Sequence, residues 1–347
     1  MHVPHRPIAR PRRALGAGGT RVAAAARACY IRPAVALLDA LRSLTSFGPG
    51  SPGRAGPPPE LPECDLALLA DVLEAHGLAP LASYQVEATR LGARLPQVFR
   101  EKLLGQYQAV ANDNVLRIVS LRGWLRAAPE VPVVLLDAAA YLDWLYPHMA
   151  FRPVGELRVA LRREDRPAFA AATEGLLALE REEHGGGTAV FTDGRLTLVA
   201  QDGLWPGAPA EPALFERATP FKAFGPRAGR PAKEEALLAT VAEQGRMGLL
   251  APLLTFVDLR ELLRLGPDAA YVKARAQALG LARALRGASL LVAGFFPEVA
   301  DAAAAVRPEL GAAERLAVDR VVEAARDPAR LRHLRGVEEA VRLVVSP

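Results

Sequence analysis

Residues 131–161, VPVVLLDAAAYLDWLYPHMAFRPVGELRVAL, limit what the rest of the chain can fold into. Residues 131–136 are apolar and β-branched, which suits a buried strand. Residues 138–146 are rich in alanine and predict a short helix that Pro147 ends. An irregular arm follows, and 157–161 predict a second strand. Beyond it, 166–181 read as a helix and 184–187 as a glycine-rich turn. Residues 188–191 and 196–200 then pair as a hairpin across Asp193-Gly194, a strong two-residue turn signal. Strand, helix, strand, helix and hairpin make a compact unit of mixed type, so the expected fold class is α+β, a small mixed sheet with flanking helices.

Helices are expected on both sides of that unit. Pro33 opens a short amphipathic segment with Leu37, Leu38, Leu41 and Leu44 on one face. The run GPGSPGRAGPPP at 48–59 interrupts it as a linker. Asp65 is placed to cap a helix through His76 that turns Leu66, Leu69, Val72 and Leu73 inward, with Gly77 as its stop. His76 at that end is expected to complement the helix dipole rather than to bind a ligand. A second helix spans 80–91. A third, 97–127, repeats Phe99, Leu103, Leu104, Tyr107, Val110, Val115, Ile118, Val119 and Trp124 at helical spacing and is read as a core stripe. After Pro206 a Pro-rich connection leads to an all-helical region with helices at 237–250, 255–265, 268–285 (capped by Asp268), 289–296, 313–325 and 337–344. The expected organisation is a tail and linker over 1–60, a helical region over 61–128, an α/β core over 129–205 and helices over 206–347.

Charge is distributed unevenly. Residues 1–60 hold nine Arg against two acids, a net of +7, while the remainder has 34 basic and 36 acidic residues, a net of −2. The folded body is therefore close to neutral, and contact with nucleic acid is expected only through the Arg-rich tail. No apolar run reaches the roughly 18 residues of a membrane span. Two cysteines, Cys29 and Cys64, form no metal spacing and no disulfide framework, which predicts a reducing, cytoplasmic setting. The six histidines are scattered, with no pair at i, i+4.

Common catalytic signatures are absent: there is no phosphate-binding loop ending in Gly-Lys, no GxGxxG after a strand, no HExxH and no GxSxG. What remains is an ordered series of segments: HGLAPLASYQ, VVLLDAAAYLDWLYP, RPVGELRVAL, FVDLRELL and a helix ending in LGLARAL. In this order and spacing, from about Leu66 to Leu291, they resemble the uncharacterised nucleotidyltransferase family of the DNA polymerase β-like superfamily. The resemblance implies a turn after the first strand that holds a nucleoside triphosphate. It also implies two Asp at i, i+2 on the second strand, and a third carboxylate on a later strand, that bind Mg²⁺ for an in-line displacement.

Carried over position by position, the resemblance implies Asp137 and Ala138 at the triphosphate turn, where the family has Lys-Gly, with Arg152 as a further nucleotide-binding candidate. The paired-Asp positions fall on Glu156 and Arg158, and the later carboxylate on Thr197. Tyr146-Pro147, Arg152-Pro153, Gly155 and Asp258 are retained. Glu156 alone keeps a metal-binding carboxylate, while Arg158 is a permanent cation at a ligand position. Asp137 and Arg158 are expected to pair across adjacent strands. The expected function is a catalytically impaired family member that binds or regulates a protein or small-molecule partner, with no cofactor. The alternative is an active enzyme using Mg²⁺ and an NTP to modify a hydroxyl of a small molecule, sugar or protein, which needs a replacement carboxylate from Asp137, Glu164 or Asp165. A second alternative is nucleic-acid binding through the tail.

Overall fold

A computed structural model describes residues 37–45, 61–89, 91–146, 148–182, 187–325 and 345. The expected tail (1–31), the linker (48–59) and the 337–344 helix lie outside them, as does Pro147. A helix over 37–45, α1, precedes α2 (Leu66–Ala75), α3 (Ala79–Ala88) and the 31-residue α4 (Gln97–Ala127). Asp65 caps α2 as expected, its carboxylate accepting from the N–H groups of Ala67 and Leu68, and Gly77 leaves the helix at φ 69°. On α4, Phe99, Leu103, Ile118 and Trp124 are buried, but Leu104, Val115 and Val119 are exposed. Apolar residues at these spacings occupy more than one face of so long a helix, and its partners cover a single face.

The sheet follows: β1 (Val133–Leu135), α5 (Asp137–Tyr141), β2 (Leu157–Ala160), α6 (Arg166–Ala172), β3 (Ala178–Glu182), β4 (Thr188–Thr192) and β5 (Thr197–Gln201). Asp193-Gly194 makes the β4–β5 turn, with Gly194 at φ 84° and the Asp193 carboxylate accepting from the N–H groups of Arg195 and Leu196. Two expectations are corrected. The helix predicted over 138–146 ends at Tyr141, and Asp143 reverses the chain at φ 56°. The helix predicted over 166–181 ends at Ala172, after which Thr173 turns its hydroxyl onto the Phe169 carbonyl and β3 begins at Ala178.

The Pro-rich connection adds α7 (Ala213–Glu216) and two short strands, β6 (Thr219–Pro220) and β7 (Ala228–Arg230). The seven strands run in the order β3-β4-β5-β2-β1-β7-β6. β1 is antiparallel to β2 and parallel to β7, and β2 is parallel to β5. Beyond β7 the chain is helical: α8 (Lys233–Arg246), α9 (Leu253–Arg264), α10 (Ala269–Ala278), α11 (Ala282–Phe295), α12 (Ala300–Val306) and α13 (Ala312–Ala325). The helix expected over 268–285 is two helices broken at Gly280, whose φ of 73° stops α10, and the segment predicted at 289–296 belongs to α11. Buried apolar side chains from Ala40 to Val345 form one continuous cluster, so the sheet and the helices on both sides of it share a core.

Candidate functional site

The turn out of β1 builds the site. Leu136 donates its N–H to the Arg158 carbonyl at 3.0 Å, and Asp137 then enters α5 at φ 50°. That left-handed conformation is strained for a residue with a Cβ and is better tolerated by Asp than by most. The neighbouring antiparallel strand pairs Val134 with Ala160 and Leu135 with Val159, which sets Arg158 beside the turn.

Arg158 lies at the centre of a charge cluster. Its Nη1 is 3.2 Å from the Asp137 Oδ2, its Nε donates to the Glu156 Oε2 at 2.6 Å, and its Nη1 is 3.8 Å from Glu243 on α8. Glu243 also faces Arg246 at 3.4 Å. Burial alone would lower the Arg158 guanidinium, but Asp137, Glu156 and Glu243 reverse that and hold it above its ordinary value. Burial pushes the Asp137 carboxyl up, with Glu243 adding to the rise and Arg158 opposing it. Both groups are half-buried, so their pairing is screened less than at a free surface. Thr197 belongs to the same edge: β2 and β5 pair Leu157 with Leu198 and Arg158 with Val199, and one step back sets Thr197 opposite Glu156, where it is exposed.

A second network holds the arm between α5 and β2. The Arg152 Nε lies 3.2 and 3.1 Å from the two Asp258 oxygens, and its Nη2 donates to Oδ2 at 2.9 Å. Tyr146 donates its hydroxyl to the same carboxylate at 2.5 Å, and Asp258 on α9 is 1% exposed. Arg152 is held above its ordinary value: burial works against the charge, and Asp258 outweighs it. Burial raises the Tyr146 and Tyr141 hydroxyls, and Asp258 raises both further. The Tyr141 hydroxyl bonds Thr240 on α8 at 2.8 Å. Asn114, fully buried on α4, donates to the carbonyls of Met149 (2.5 Å) and Arg152 (2.9 Å) and accepts from the Val154 N–H at 2.8 Å. Two helices, α4 and α9, thus fix the arm that delivers β2, while α8 holds the end of α5.

The positions singled out in the sequence have different surroundings. Asp137, Glu156 and Arg158 are brought together, with Thr197 beside them by register. Ala138 is buried in α5, and the Arg152 guanidinium is taken by Asp258. Glu164 and Asp165 lie past the opposite end of β2 from Glu156, where Asp165 faces Arg162 at 3.9 Å. Glu243, Thr240 and Asn114 were missed. Asn114 carried a legible signal, a polar residue at the spacing of the buried Leu103, Ile118 and Leu121. His76 takes a role other than dipole partner: its Nδ1 accepts from the Leu253 N–H at 3.2 Å, closing the first turn of α9, and burial lowers its pKa.

The donor set does not fit Mg²⁺. Among the described residues no three His, Cys, Asp or Glu side chains are grouped so as to hold a metal ion. The Glu156 carboxylate is engaged by Arg158 at 2.6 Å, and a guanidinium is neither a ligand nor a group that can be neutralised.

A mixed sheet with the antiparallel β1–β2 pair at its centre, a charged site where β1 leaves the sheet and helices on both flanks defines an α+β protein whose site is assembled from strand ends and a following helix. The family described as uncharacterised nucleotidyltransferase matches residues 62–297, and the chain belongs to it. No curated protein and no solved structure matches the chain.

Proposed function

We propose that the chain is a non-catalytic member of its nucleotidyltransferase family that binds or regulates a protein or small-molecule partner. The observation that carries this reading is Arg158, paired to Asp137 at 3.2 Å and to Glu156 at 2.6 Å on the strand where the family resemblance calls for two carboxylates. Metal-dependent phosphoryl transfer works by clamping the attacking and leaving oxygens between cations held by carboxylates. Here the one retained carboxylate neutralises an internal cation instead. Asp137 places a second negative charge where a triphosphate would need a positive one, and the Arg152 guanidinium is already saturated by Asp258.

The competing reading is transfer of a nucleotidyl group to a hydroxyl acceptor. It requires Arg158 to leave and Asp137, Glu156 and Glu243 to converge. Titrating ATP, CTP, GTP and UTP with and without Mg²⁺ while following thermal unfolding separates the two. The non-catalytic reading expects no metal-dependent shift with any nucleotide. A rise in melting temperature that requires both Mg²⁺ and one NTP overturns it, because only ligands that bind the native state stabilise it.

A further inference from the structure

A second charged cluster lies at the N-terminal end of α8, away from Arg158. Glu234 and Glu235 are adjacent there, with side chains only 4% and 2% exposed. They share one guanidinium: the Arg217 Nη2 donates to Glu234 Oε2 at 2.8 Å and its Nη1 to Glu235 Oε1 at 3.1 Å. Tyr271 on α10 donates its hydroxyl to that same Oε1 at 2.6 Å, and the Arg217 guanidinium lies 3.9 Å from the centre of the Tyr271 ring. Glu234 Oε1 accepts the Asp268 N–H at 3.0 Å. The Glu235 Oε2 is buried and, among the described residues, has no hydrogen-bond partner.

The charges do not balance. Among the described residues two buried carboxylates face one cation, and the other charged groups nearby are committed elsewhere. Lys233 is turned to the carbonyls of Leu265 and Gly266, the Asp268 carboxylate caps α10, and Arg275 is paired with Glu211. A buried carboxylate with an unpartnered oxygen costs more when ionised than when it carries a proton.

We infer that Glu235 is a proton-binding latch: protonated, it closes the contact between α8, α10 and the Arg217 segment, and ionised, it loosens that contact. Burial is the main cause that raises the Glu235 pKa, with Glu234 adding to it while Tyr271, Arg217 and the Glu235 backbone N–H oppose it. A group whose folded pKa lies above its unfolded value contributes stability that is complete below the unfolded pKa and is lost as pH rises through the folded pKa. The latch therefore holds in mild acid and slackens above the ordinary glutamate range. Glu235 and Glu243 lie eight residues apart on one helix, about 12 Å at the α-helical rise, so loosening at this end acts on the element that carries Glu243 to Arg158.

The test is urea denaturation of the full chain from pH 4.5 to 8.5, comparing wild type with Glu235→Gln and Glu234→Gln, together with amide exchange of residues 269–278 at both ends of the range. One proton linked to unfolding changes the unfolding constant by up to about tenfold per pH unit between the two pKa values. Glu235→Gln is expected to remove that one-proton contribution, leaving the smaller slope of groups such as Asp137, and Glu234→Gln, which removes the excess charge, to move it to lower pH. Faster exchange in α10 at high pH is expected in wild type and not in Glu235→Gln. A slope that Glu235→Gln leaves unchanged, or α10 exchange equally protected at both pH values in wild type, overturns the latch. Should Glu235→Gln fail to fold, an unmoved slope in Glu234→Gln overturns it equally.

Discussion

Replacing Asp258 by Asn tests whether the arm that delivers β2 is held by charge or by shape. The substitution keeps the volume and one acceptor oxygen but removes the negative charge that Arg152 meets at 2.9 Å and Tyr146 at 2.5 Å. Since Asp258 is 1% exposed, water does not replace its charge, and the Arg152 guanidinium, part-buried with 16% of its side chain exposed, loses its ion-pair partner and keeps the Pro153 carbonyl and one amide oxygen. Breaking a buried pair from one side costs about 3–5 kcal/mol. Tyr146→Phe removes a single donor from a carboxylate that still has Arg152, and the scale for a hydrogen bond to a charged group puts that at about 1.5–3 kcal/mol. Urea denaturation followed by far-ultraviolet circular dichroism gives both values, provided the denaturant slope is unchanged. Asp258→Asn should cost clearly more than Tyr146→Phe. If Asp258→Asn costs less than about 1 kcal/mol, or if the two variants cost the same, charge pairing does not hold the arm and the assignment of Arg152 to a structural role fails.

Asn114→Leu should destabilise by at least about 3 kcal/mol, because the Met149 and Arg152 carbonyls and the Val154 N–H all lose their partner, and each buried unsatisfied group costs about 1–3 kcal/mol. Asp137→Asn should be at least as stable as wild type at neutral pH. The raised Asp137 carboxyl withdraws stability as pH climbs through its folded pKa, so the advantage should disappear below about pH 4 in a pH series of melting curves. His76→Ala should flatten the acid limb of that series. The His76 pKa is depressed, so its bond to Leu253 contributes stability above the unfolded value that is lost as pH falls through the folded one.

The sequence was most legible where a local rule acts alone. Asp65 and Asp268 cap helices because each is followed by a helical apolar period, and the Asp193-Gly194 turn needs only its two residues. The Asp137–Arg158 pair was legible because β1 and β2 are short, adjacent strands of one hairpin-like unit. What local rules could not reach was set by tertiary partners. β6 and β7 contain Pro220 and Gly229, residues that argue against a strand, and they form because β1 offers a free edge. β3 reads ALERE, a helical composition, and pairs only because β4 lies beside it. Glu243 joins the site from a helix 85 positions after Arg158, and its own stretch, VAEQGR, holds no sign of that contact. The α+β frame was thus legible, while the closing contacts of the site depended on how α8 packs.

Whether Arg158 bars a cation from the position beside Glu156 is tested most simply by direct binding of Mn²⁺, a paramagnetic stand-in for Mg²⁺. Free Mn²⁺ is counted by electron paramagnetic resonance during titration of the wild-type chain and of Arg158→Asp, which puts a carboxylate back two residues from Glu156. Wild type should take up no stoichiometric Mn²⁺, with or without ATP, and Arg158→Asp should bind at least about tenfold more tightly, a difference of about 1.4 kcal/mol. One Mn²⁺ bound by wild type as tightly as by Arg158→Asp would show that Arg158 does not exclude the metal.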